Sequence, residues 1–252
     1  MTLTSSGRNL VELARRTLAS AENLRRAAQS LQGQVAGRLR IGTLADPALI
    51  RVGDFLGRMV QKHPLLDLEL HQEMSGEALE SVRDGRLDAS FFFGELPERG
   101  IVSLFLRGIA YRVTAPFAWR DRVESAGWGE IAALPWVVTP PTSTHSRLVG
   151  RLFAEHGVEP PQFHIAADSE AVIENLVVSG LGVSLMREEI AQEREEEGAI
   201  CIWPRARLAT GLWFIYATGR AGDPLIQAVL PVLRETWKRE VSQSSDEPVA
   251  SG

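Results

Sequence analysis

The sequence predicts an α/β protein of two Rossmann-like lobes, preceded by a long helix. Strand-like and helix-like segments alternate between residues 38 and 93, an order that builds a parallel sheet with both faces covered. The same alternation begins again at Pro135 and continues to Met186. Further strands and a last helix then return the chain to the first lobe. Two crossovers therefore join the lobes, and a double connection of this kind predicts a hinge with a cleft beside it.

The opening segment has the period of a coiled coil. Steps of four and three residues connect small or apolar side chains along one edge, and arginines and glutamates flank them. The positions are Leu10, Ala14, Thr17, Ala21, Leu24, Ala28 and Leu31. A stripe this narrow keeps its charged flanks in water only against an equally narrow partner, so we expect a dimerisation helix that pairs with a second copy. The alternative is a helix that lies on its own domain.

The first lobe begins with a strand at 38–43, which a loop connects to a helix opened by Pro47. Three leucines between residues 66 and 70 alternate with polar residues, which is the pattern of a half-buried strand. Ser75 is expected to cap the next helix, and Gly85 to end it, before a buried strand at 87–93.

The second lobe repeats this architecture. After one or two strands within 102–117, the predicted order is a helix at 128–133, a strand at 135–138, a helix at 143–156, a strand at 163–166, a helix at 169–179, a strand at 183–186 and an acidic helix. Strands at 200–203 and 212–217 and a helix at 223–239 complete the chain. The expected boundaries are 38–113 with 214–241 for lobe I, 114–213 for lobe II and 242–252 for a disordered tail.

Composition narrows the possible classes of function. The net charge is −5, so the chain as a whole does not offer a surface for nucleic acid. Cys201 is the only cysteine, which excludes an internal disulfide framework and fits a reducing compartment. The sequence contains no apolar run of membrane-spanning length and no signal-peptide core at its start. These features predict a cytoplasmic protein.

No catalytic constellation is recognisable in the sequence. The five histidines fall on different predicted elements and lack the i, i+4 spacing of a metal site. Gly180-Leu181-Gly182 resembles the start of a dinucleotide-binding fingerprint, but Leu185 stands where the third glycine belongs. We therefore predict a protein that is not an enzyme and that has no metal or cofactor.

Three predicted helix starts could instead bind a ligand. Parallel sheets bind ligands at the carboxyl ends of their strands, where backbone N–H groups and the helix dipole suit an anionic or polar group. The starts are Thr43 to Asp46, Ser75-Gly76 and Thr142 to Ser146. Capping alone explains Ser75 equally well, whereas the last start has more hydroxyls than one cap needs, which favours a ligand.

Four segments in register resemble the effector-binding domain of LysR-type transcriptional regulators. They read GRLRIGT, HPLLDLELHQEMSGEALESVRDGRLDASFFFG, STHSRLVGRLFAEHGVEP and ENLVVSGLGVSLM, and the resemblance covers almost the whole chain. Ahead of them, Leu3-Thr4-Ser5-Ser6-Gly7 is similar to the family's L-T-x-x-G junction, where the wing of a winged helix-turn-helix domain meets the linker helix. On this resemblance, residues 1–37 are the end of the wing and the dimerisation helix.

The resemblance implies a type 2 periplasmic-binding-protein-like fold and a bacterial homotetramer built as a dimer of dimers. It implies a winged helix-turn-helix domain ahead of the junction, which we expect to be missing from this chain and through which the regulator would bind DNA. A small-molecule effector between the lobes would alter the oligomer's DNA-binding geometry. It would do so only to the extent that its affinity differs between the two arrangements of the lobes.

The family's effector contacts can be carried over position by position. They fall on Thr43, Leu44, Asp46, Ser75, Phe93, Thr142, Ser143, Thr144 and Asp168. Asp46 departs from the pattern, because many relatives have a small hydroxyl there and a carboxylate would repel an acidic effector. Either Asp46 turns away to cap the helix at Pro47, or the effector carries an amine or a hydroxyl at that point.

Two other functions remain as alternatives. A bilobal solute-binding protein would share the architecture, but it would need an export signal and has no use for a self-pairing helix. An enzyme on a related two-lobe fold would need a paired base and nucleophile. Solution mass distinguishes the first alternative, since a strict monomer would favour a solute-binding protein and a dimer or tetramer a regulator.

Overall fold

The computed structural model describes residues 35–96 and 100–237, together with residues 4, 6–7, 10–11, 13–14, 17–18 and 21 of the opening segment. No helix among these described residues combines the length and the apolar composition that crossing a membrane requires.

Part of the predicted dimerisation helix falls within the described residues. Leu10, Ala14, Thr17 and Ala21 are helical and exposed, and the Thr17 hydroxyl donates to the carbonyl of Leu13, four residues earlier, at 3.0 Å. The remaining positions of the predicted seam, Leu24, Ala28 and Leu31, lie outside the described residues, as does the predicted tail at 242–252.

The chain forms two compact units. Unit 1 contains the described residues up to Arg107 and from Gly211 onward, and unit 2 contains Gly108–Thr210. Two long strands, Ile101–Pro116 and Ile200–Ala217, pass from one unit into the other. The chain therefore crosses twice, as the sequence predicts. The crossings lie at 107/108 and 210/211, whereas the sequence pattern placed them at 113/114 and 213/214.

Unit 1 is built on a sheet with a parallel core. Its elements are β1 (Gly37–Thr43), α1 (Val52–Lys62), β2 (Leu66–Gln72), α2 (Ser75–Arg83), β3 (Ala89–Phe93), the first part of β4 (Ile101–Pro116), the last part of β8 (Ile200–Ala217) and α8 (Pro224–Thr236). β1 lies between β2 and β3 and is parallel to both. β8 pairs with β3 in the antiparallel direction. Because β1, β2 and β3 run the same way, the loops that follow them leave from one edge of the sheet.

Aromatic side chains hold the helices of unit 1 against this sheet. The buried ring of Phe91 on β3 lies 5.8 Å from Phe55 of α1 and 5.3 Å from Phe214 of β8, both edge to face. Trp237, directly after α8, lies 5.8 Å from the same ring. Aromatic pairs of this kind add about 0.5–1.5 kcal/mol each beyond the burial of their area, so Phe91 is central to the core of unit 1.

Unit 2 contains the remaining elements. They are α3 (Arg120–Ser125), α4 (Trp128–Ala132), β5 (Trp136–Val138), α5 (Thr144–Glu155), β6 (Phe163–Ala166), α6 (Glu170–Val178), β7 (Ser184–Arg187) and α7 (Glu188–Glu196), with the other parts of β4 and β8. β5 is parallel to β6 and has a parallel bridge to Val183, beside β7. β4 pairs with β7 in the antiparallel direction. The loops after β5, β6 and β7 thus leave from one edge, as in unit 1.

Tryptophans fill the core of unit 2. Trp136 and Trp203 are fully buried, and each indole N–H donates to a backbone carbonyl, that of Ile131 at 2.9 Å and that of Ala126 at 3.1 Å. Phe153 of α5 packs edge to face on Trp136 with ring centroids 5.4 Å apart. The polar atom of each large side chain is therefore satisfied, which removes the main cost of burying it.

Three local features differ from the sequence prediction. The helix expected to open at Pro47 begins at Val52, because residues 47–50 form a turn and Arg51 adopts a left-handed φ of 46°. β4 and β8 are continuous strands, where β8 was expected as two and β4 as one or two. The helix α3 has too few residues to show a period in the sequence and is found only in the structure.

Candidate functional site

The predicted contacts after β1 lie at the carboxyl end of that strand. Thr43 ends β1, and its carbonyl accepts a hydrogen bond from Glu73 N, just before α2, at 3.2 Å. Asp46 Oδ1 accepts from the backbone N–H groups of Ala48 and Leu49 at 3.0 Å each. The Asp46 carboxylate thus caps the chain that follows it, which is the first of the two alternatives. The capped segment is a turn, and the helix begins at Val52.

Ser75 and Phe93 are brought into direct contact in unit 1. The buried Ser75 Oγ accepts a hydrogen bond from Phe93 N at the end of β3, at 3.1 Å. Ser75 does not cap its own helix as expected, since Met74 occupies the cap position and Ser75 is the first helical residue. Leu44 is buried after β1. The hydrogen bonds of Ser75 and Glu73 therefore fix the start of α2 to the ends of β3 and β1, the two parallel strands that carry predicted contacts.

A buried ion network supports the opposite end of β3. Asp88, directly before β3, accepts from Arg40 N at 2.6 Å and from the Arg40 guanidinium at 3.2 and 3.1 Å. It also pairs with Arg220, which in turn pairs with Asp223. Asp223 caps α8 by accepting from Leu225 N at 2.9 Å. The network links β1, β3 and α8, and nothing in the sequence pattern indicates it, because directly bonded partners are up to 132 residues apart.

The entrance of α5 carries the hydroxyl cluster of unit 2. Ser143 holds the N-cap position and its Oγ accepts from Ser146 N at 3.1 Å. The Thr139 hydroxyl, directly after β5, is in hydrogen-bond contact with Ser143 Oγ. Thr144 Oγ1 accepts from Arg147 Nη2 at 2.9 Å. Thr144, one of the hydroxyls expected to be surplus to a cap, therefore has a partner within the protein.

The other predicted contacts of unit 2 are exposed. Thr142 lies in the loop before α5, and Asp168 lies between β6 and α6. Ala167 N donates to the carbonyl of Val138 at 2.9 Å, which brings the chain just before Asp168 to the end of β5. Both residues are thus at the carboxyl edge of the parallel strands, on neighbouring loops.

A polar cluster with two buried rings, Tyr111 and His145, lies at the same edge and was missed by sequence reasoning. Tyr111 Oη on β4 donates to Glu170 Oε1 of α6 at 2.8 Å, and Arg187 Nε at the end of β7 lies 3.3 Å from Glu170 Oε2. His145 of α5 lies edge-on to Tyr111, with ring centroids 6.3 Å apart. The signal would have been the register of β4 and β7, which pairs Tyr111 with Arg187.

Electrostatics keep the two rings of this cluster neutral. Burial, together with the adjacent Glu170 carboxylate, raises the pKa of Tyr111 well above its usual value. Burial lowers the pKa of His145, although Glu170 and the carbonyl of Leu185 act in the other direction. At pH 7 the cluster therefore presents a phenol and a neutral imidazole.

Cys201 is poorly suited to thiol chemistry. Its Sγ is buried and donates to the carbonyl of Pro116 at 3.6 Å. Burial raises the pKa of the thiol to about 11. A thiol of this pKa is almost entirely protonated at neutral pH, and the thiolate is the reactive form.

Two α/β units, joined by two long strands and each with polar loops at the carboxyl ends of its parallel strands, define the class of two-lobed ligand-binding domains. Within this class the family can be assigned. The model of the family described as "LysR substrate binding domain" matches residues 32–238. The chain belongs to this family and contains the effector-binding domain of a LysR-type transcriptional regulator.

Individual proteins that are similar to this chain in sequence or in structure support the family assignment. A protein of Nostoc sp. named "Probable RuBisCO transcriptional regulator" is 22% identical over 257 residues, covering 95% of this chain and 75% of that protein. The regulatory domain of CcmR from Synechocystis PCC6803 in complex with 2-PG has a TM-score of 0.63 at 18% identity and covers 80% of this chain and 98% of its own. Full-length CbnR complexed with its target DNA has a TM-score of 0.57 at 17% identity, with 94% and 82% covered. The Nostoc protein is thus named as a transcriptional regulator and not as an enzyme.

Proposed function

We propose that this chain senses a small-molecule effector at the carboxyl ends of the parallel strands of its two units, and that effector binding controls how a cytoplasmic homotetramer engages DNA. Family membership supports the regulatory role. The arrangement of the predicted contacts supports the place of binding, because all of them lie at the last residue of a strand, in the loop that follows it or at the first residue of the next helix.

The observation that carries the proposal is the contact between Ser75 and Phe93. These two residues are 18 positions apart, and the hydrogen bond from Phe93 N to Ser75 Oγ joins them at 3.1 Å. Thr43 is joined to the same loop through Glu73. Contacts carried over separately from a family pattern therefore gather at one edge of unit 1, as a shared ligand requires.

Exposure of the opening helix supports self-association. Leu10, Ala14, Thr17 and Ala21 share one stripe at coiled-coil spacing, and all four are exposed in the single chain. A stripe of this kind is stabilised when a second copy covers it. DNA binding belongs, in this proposal, to a winged helix-turn-helix domain joined ahead of that helix, and the relative CbnR was solved on its target DNA.

The proposal is tested by a thermal-shift screen of bacterial metabolites against this chain. A ligand that binds only the folded state raises the melting temperature, by an amount that grows with its concentration relative to its Kd. A hit is then titrated by calorimetry against Thr144→Val and a matched control, Ser125→Ala. Ser125 is exposed, donates to the Asp121 carbonyl of its own helix α3 and is not one of the predicted contacts.

We expect Thr144→Val to weaken the hit about five- to tenfold, the effect of losing one hydrogen bond. Ser125→Ala should leave its Kd unchanged. Equal affinities of the two variants for the hit would show that Thr144 does not contact it. A screen without any hit would contradict effector sensing by this chain.

A further inference from the structure

His145 has one ring nitrogen whose role is fixed by its partner. The side chain is 4% exposed, and Nε2 lies 3.0 Å from the carbonyl oxygen of Leu185 on β7. A carbonyl oxygen can only accept a hydrogen bond, so Nε2 must carry the hydrogen and donate it. The ring is neutral at pH 7, because burial lowers the pKa of His145. Its other nitrogen, Nδ1, is therefore a bare acceptor.

Nδ1 is a buried acceptor without a donor. Among the residues that the structure describes, none supplies a hydrogen-bond partner to this atom. Leaving a buried polar atom unsatisfied is costly, so a donor that reaches this atom would stabilise the complex. The contrast with the neighbouring groups is clear, since Ser143, Thr144 and Glu170 are each engaged by another residue of unit 2.

The position of His145 connects this acceptor with the predicted ligand contacts. It is the second residue of α5, directly after Thr144. Its ring reaches β7 through Leu185 and β4 through Tyr111. The helix entrance, which suits a polar ligand through its N–H groups, and a deeply buried acceptor are thus provided by the same turn of α5.

We propose that the effector carries a hydroxyl or an amine that donates a hydrogen bond to His145 Nδ1. This inference rests on the proposed function and adds a chemical class to it. A fully ionised carboxylate or phosphate has no hydrogen to donate and cannot satisfy Nδ1, so recognition at this point selects a donor group.

Two substitutions separate the two nitrogens of the ring. His145→Gln places an amide near Nε2, which can still donate to the Leu185 carbonyl, and it removes the acceptor at Nδ1. His145→Asn places an amide near Nδ1, which retains an acceptor there and loses the bond to Leu185. The pair is matched in side-chain chemistry and differs in which nitrogen is replaced.

The ligands for the test are matched pairs in which a hydroxyl or an amine of one member is replaced by hydrogen in the other. Lactate with propionate, serine with alanine, and ribose with deoxyribose are such pairs, and each hit from a metabolite screen is added with its own deoxy or deamino analogue. For a donor-bearing hit we expect His145→Gln to raise Kd about tenfold and His145→Asn to change it much less. The analogue without the donor should bind the wild-type chain about tenfold more weakly than its partner.

The wild-type chain provides a measurement that does not depend on a variant folding. With ¹⁵N-labelled histidine, NMR identifies the tautomer of His145, and we expect Nε2–H with Nδ1 bare in the free chain. Addition of the donor-bearing hit should move the Nδ1 resonance toward that of a hydrogen-bonded nitrogen. A ring protonated at Nδ1, or an Nδ1 resonance already typical of a hydrogen-bonded nitrogen in the free chain, would overturn the inference.

The outcomes of the ligand test also distinguish this inference from the proposed function. Hits that bind His145→Gln as tightly as wild type, or a hit list without donor groups, would show that the inference is wrong while effector sensing stands. If no compound of either kind binds, effector sensing is contradicted and the inference falls with it.

Discussion

Asp88 shows how a single carboxylate can organise unit 1. It is 3% exposed at its side chain, yet it accepts hydrogen bonds from two arginines, Arg40 and Arg220. Burial alone would raise the pKa of Asp88, but Arg220 and Arg40 reverse that effect and hold it below its usual value of 3.8. The folded state is therefore stabilised by the ionised form of Asp88.

Replacing this carboxylate should make unit 1 less stable in a pH-dependent way. We expect Asp88→Asn to lower the free energy of unfolding by about 1.5–3 kcal/mol at pH 7, because the buried Arg220 keeps Asp223 but loses one of its two carboxylate partners. A depressed pKa contributes stability that is complete above the unfolded value of about 3.9 and is lost as the pH falls through the folded value. The difference between wild type and variant should therefore shrink below about pH 4, as measured by urea unfolding at several pH values.

Glu69 provides the matched control for Asp88. Its carboxylate also meets an arginine, Arg38, at 3.1 Å, but both side chains are exposed. Exposed ion pairs contribute about 0–1 kcal/mol, so Glu69→Gln should unfold close to wild type at every pH. An equal loss for both variants would mean that burial does not set the strength of the Asp88 network.

At the scale of the element, each of the two long strands has a glycine at the point where it passes from one unit into the other. β8 enters unit 1 at Gly211 and β4 enters unit 2 at Gly108. A Cβ atom on Gly211 would clash with the indole of Trp213, whereas a Cβ atom on Gly108 would meet nothing within 4 Å. The Trp213 indole donates to the carbonyl of Gly94 at 3.1 Å and packs edge to face on Phe105. Only one of the two glycines is required by packing.

Alanine at these two positions should have unequal effects. Gly211→Ala must displace the Trp213 indole, which breaks its bond to Gly94, and we expect a loss of about 1–3 kcal/mol in the free energy of unfolding. Gly108→Ala should stay within about 0.5 kcal/mol of wild type. Urea unfolding measures both, and the combined tryptophan fluorescence of the folded chain should shift to the red only in Gly211→Ala. Similar losses for both would assign the effect to backbone freedom and not to the indole.

The elements themselves were largely predictable, and the contacts between distant ones were not. Many elements are marked by local signals, such as the alternating leucines from Leu66 to Leu70, Gly85 after α2 and Asp223 before α8. These signals are local because hydrophobic periodicity and helix capping involve residues that are neighbours along the chain. The partner of Ser75 is Phe93 N, and that of His145 is the carbonyl of Leu185, 40 residues away. A pattern formed by residues that are close in the sequence does not reveal contacts between residues this far apart. The resemblance to a family supplied the predicted site residues, whereas the buried groups around them required the fold.

At the scale of the whole molecule, the proposed pairing of the opening helix with a second copy can be tested at two leucines. Leu10 and Leu18 are both 67% exposed in the single chain, but only Leu10 belongs to the predicted seam. Pairing through that seam would bury Leu10 and its equivalent in the second copy. The two leucines are therefore matched in exposure and differ in their expected role.

Lysine at these positions should separate the predicted seam from other surfaces of the helix. We expect Leu10→Lys to raise the dissociation constant of the dimer about a hundredfold, since two leucine side chains lose roughly 1.5 kcal/mol each. Leu18→Lys should change it little. Light scattering across a dilution series measures both. Dissociation caused by Leu18→Lys alone, or a wild-type chain that is monomeric throughout, would contradict the proposed seam.

The passage of β4 and β8 through both units also sets an order of events during synthesis. Unit 2 has all its residues once Thr210 has been made. At that point the part of β8 that pairs with β3, and the helix α8 that packs on α1, have not yet been synthesised. The contacts that close unit 1, such as Arg51 Nη1 with the Thr236 carbonyl at 3.0 Å and Lys62 with Glu235 at 2.6 Å, form only when the last helix leaves the ribosome. The unit that is translated first is thus the one completed last. Shortening the chain from its carboxyl end would consequently damage the amino-terminal unit before the one inserted into it.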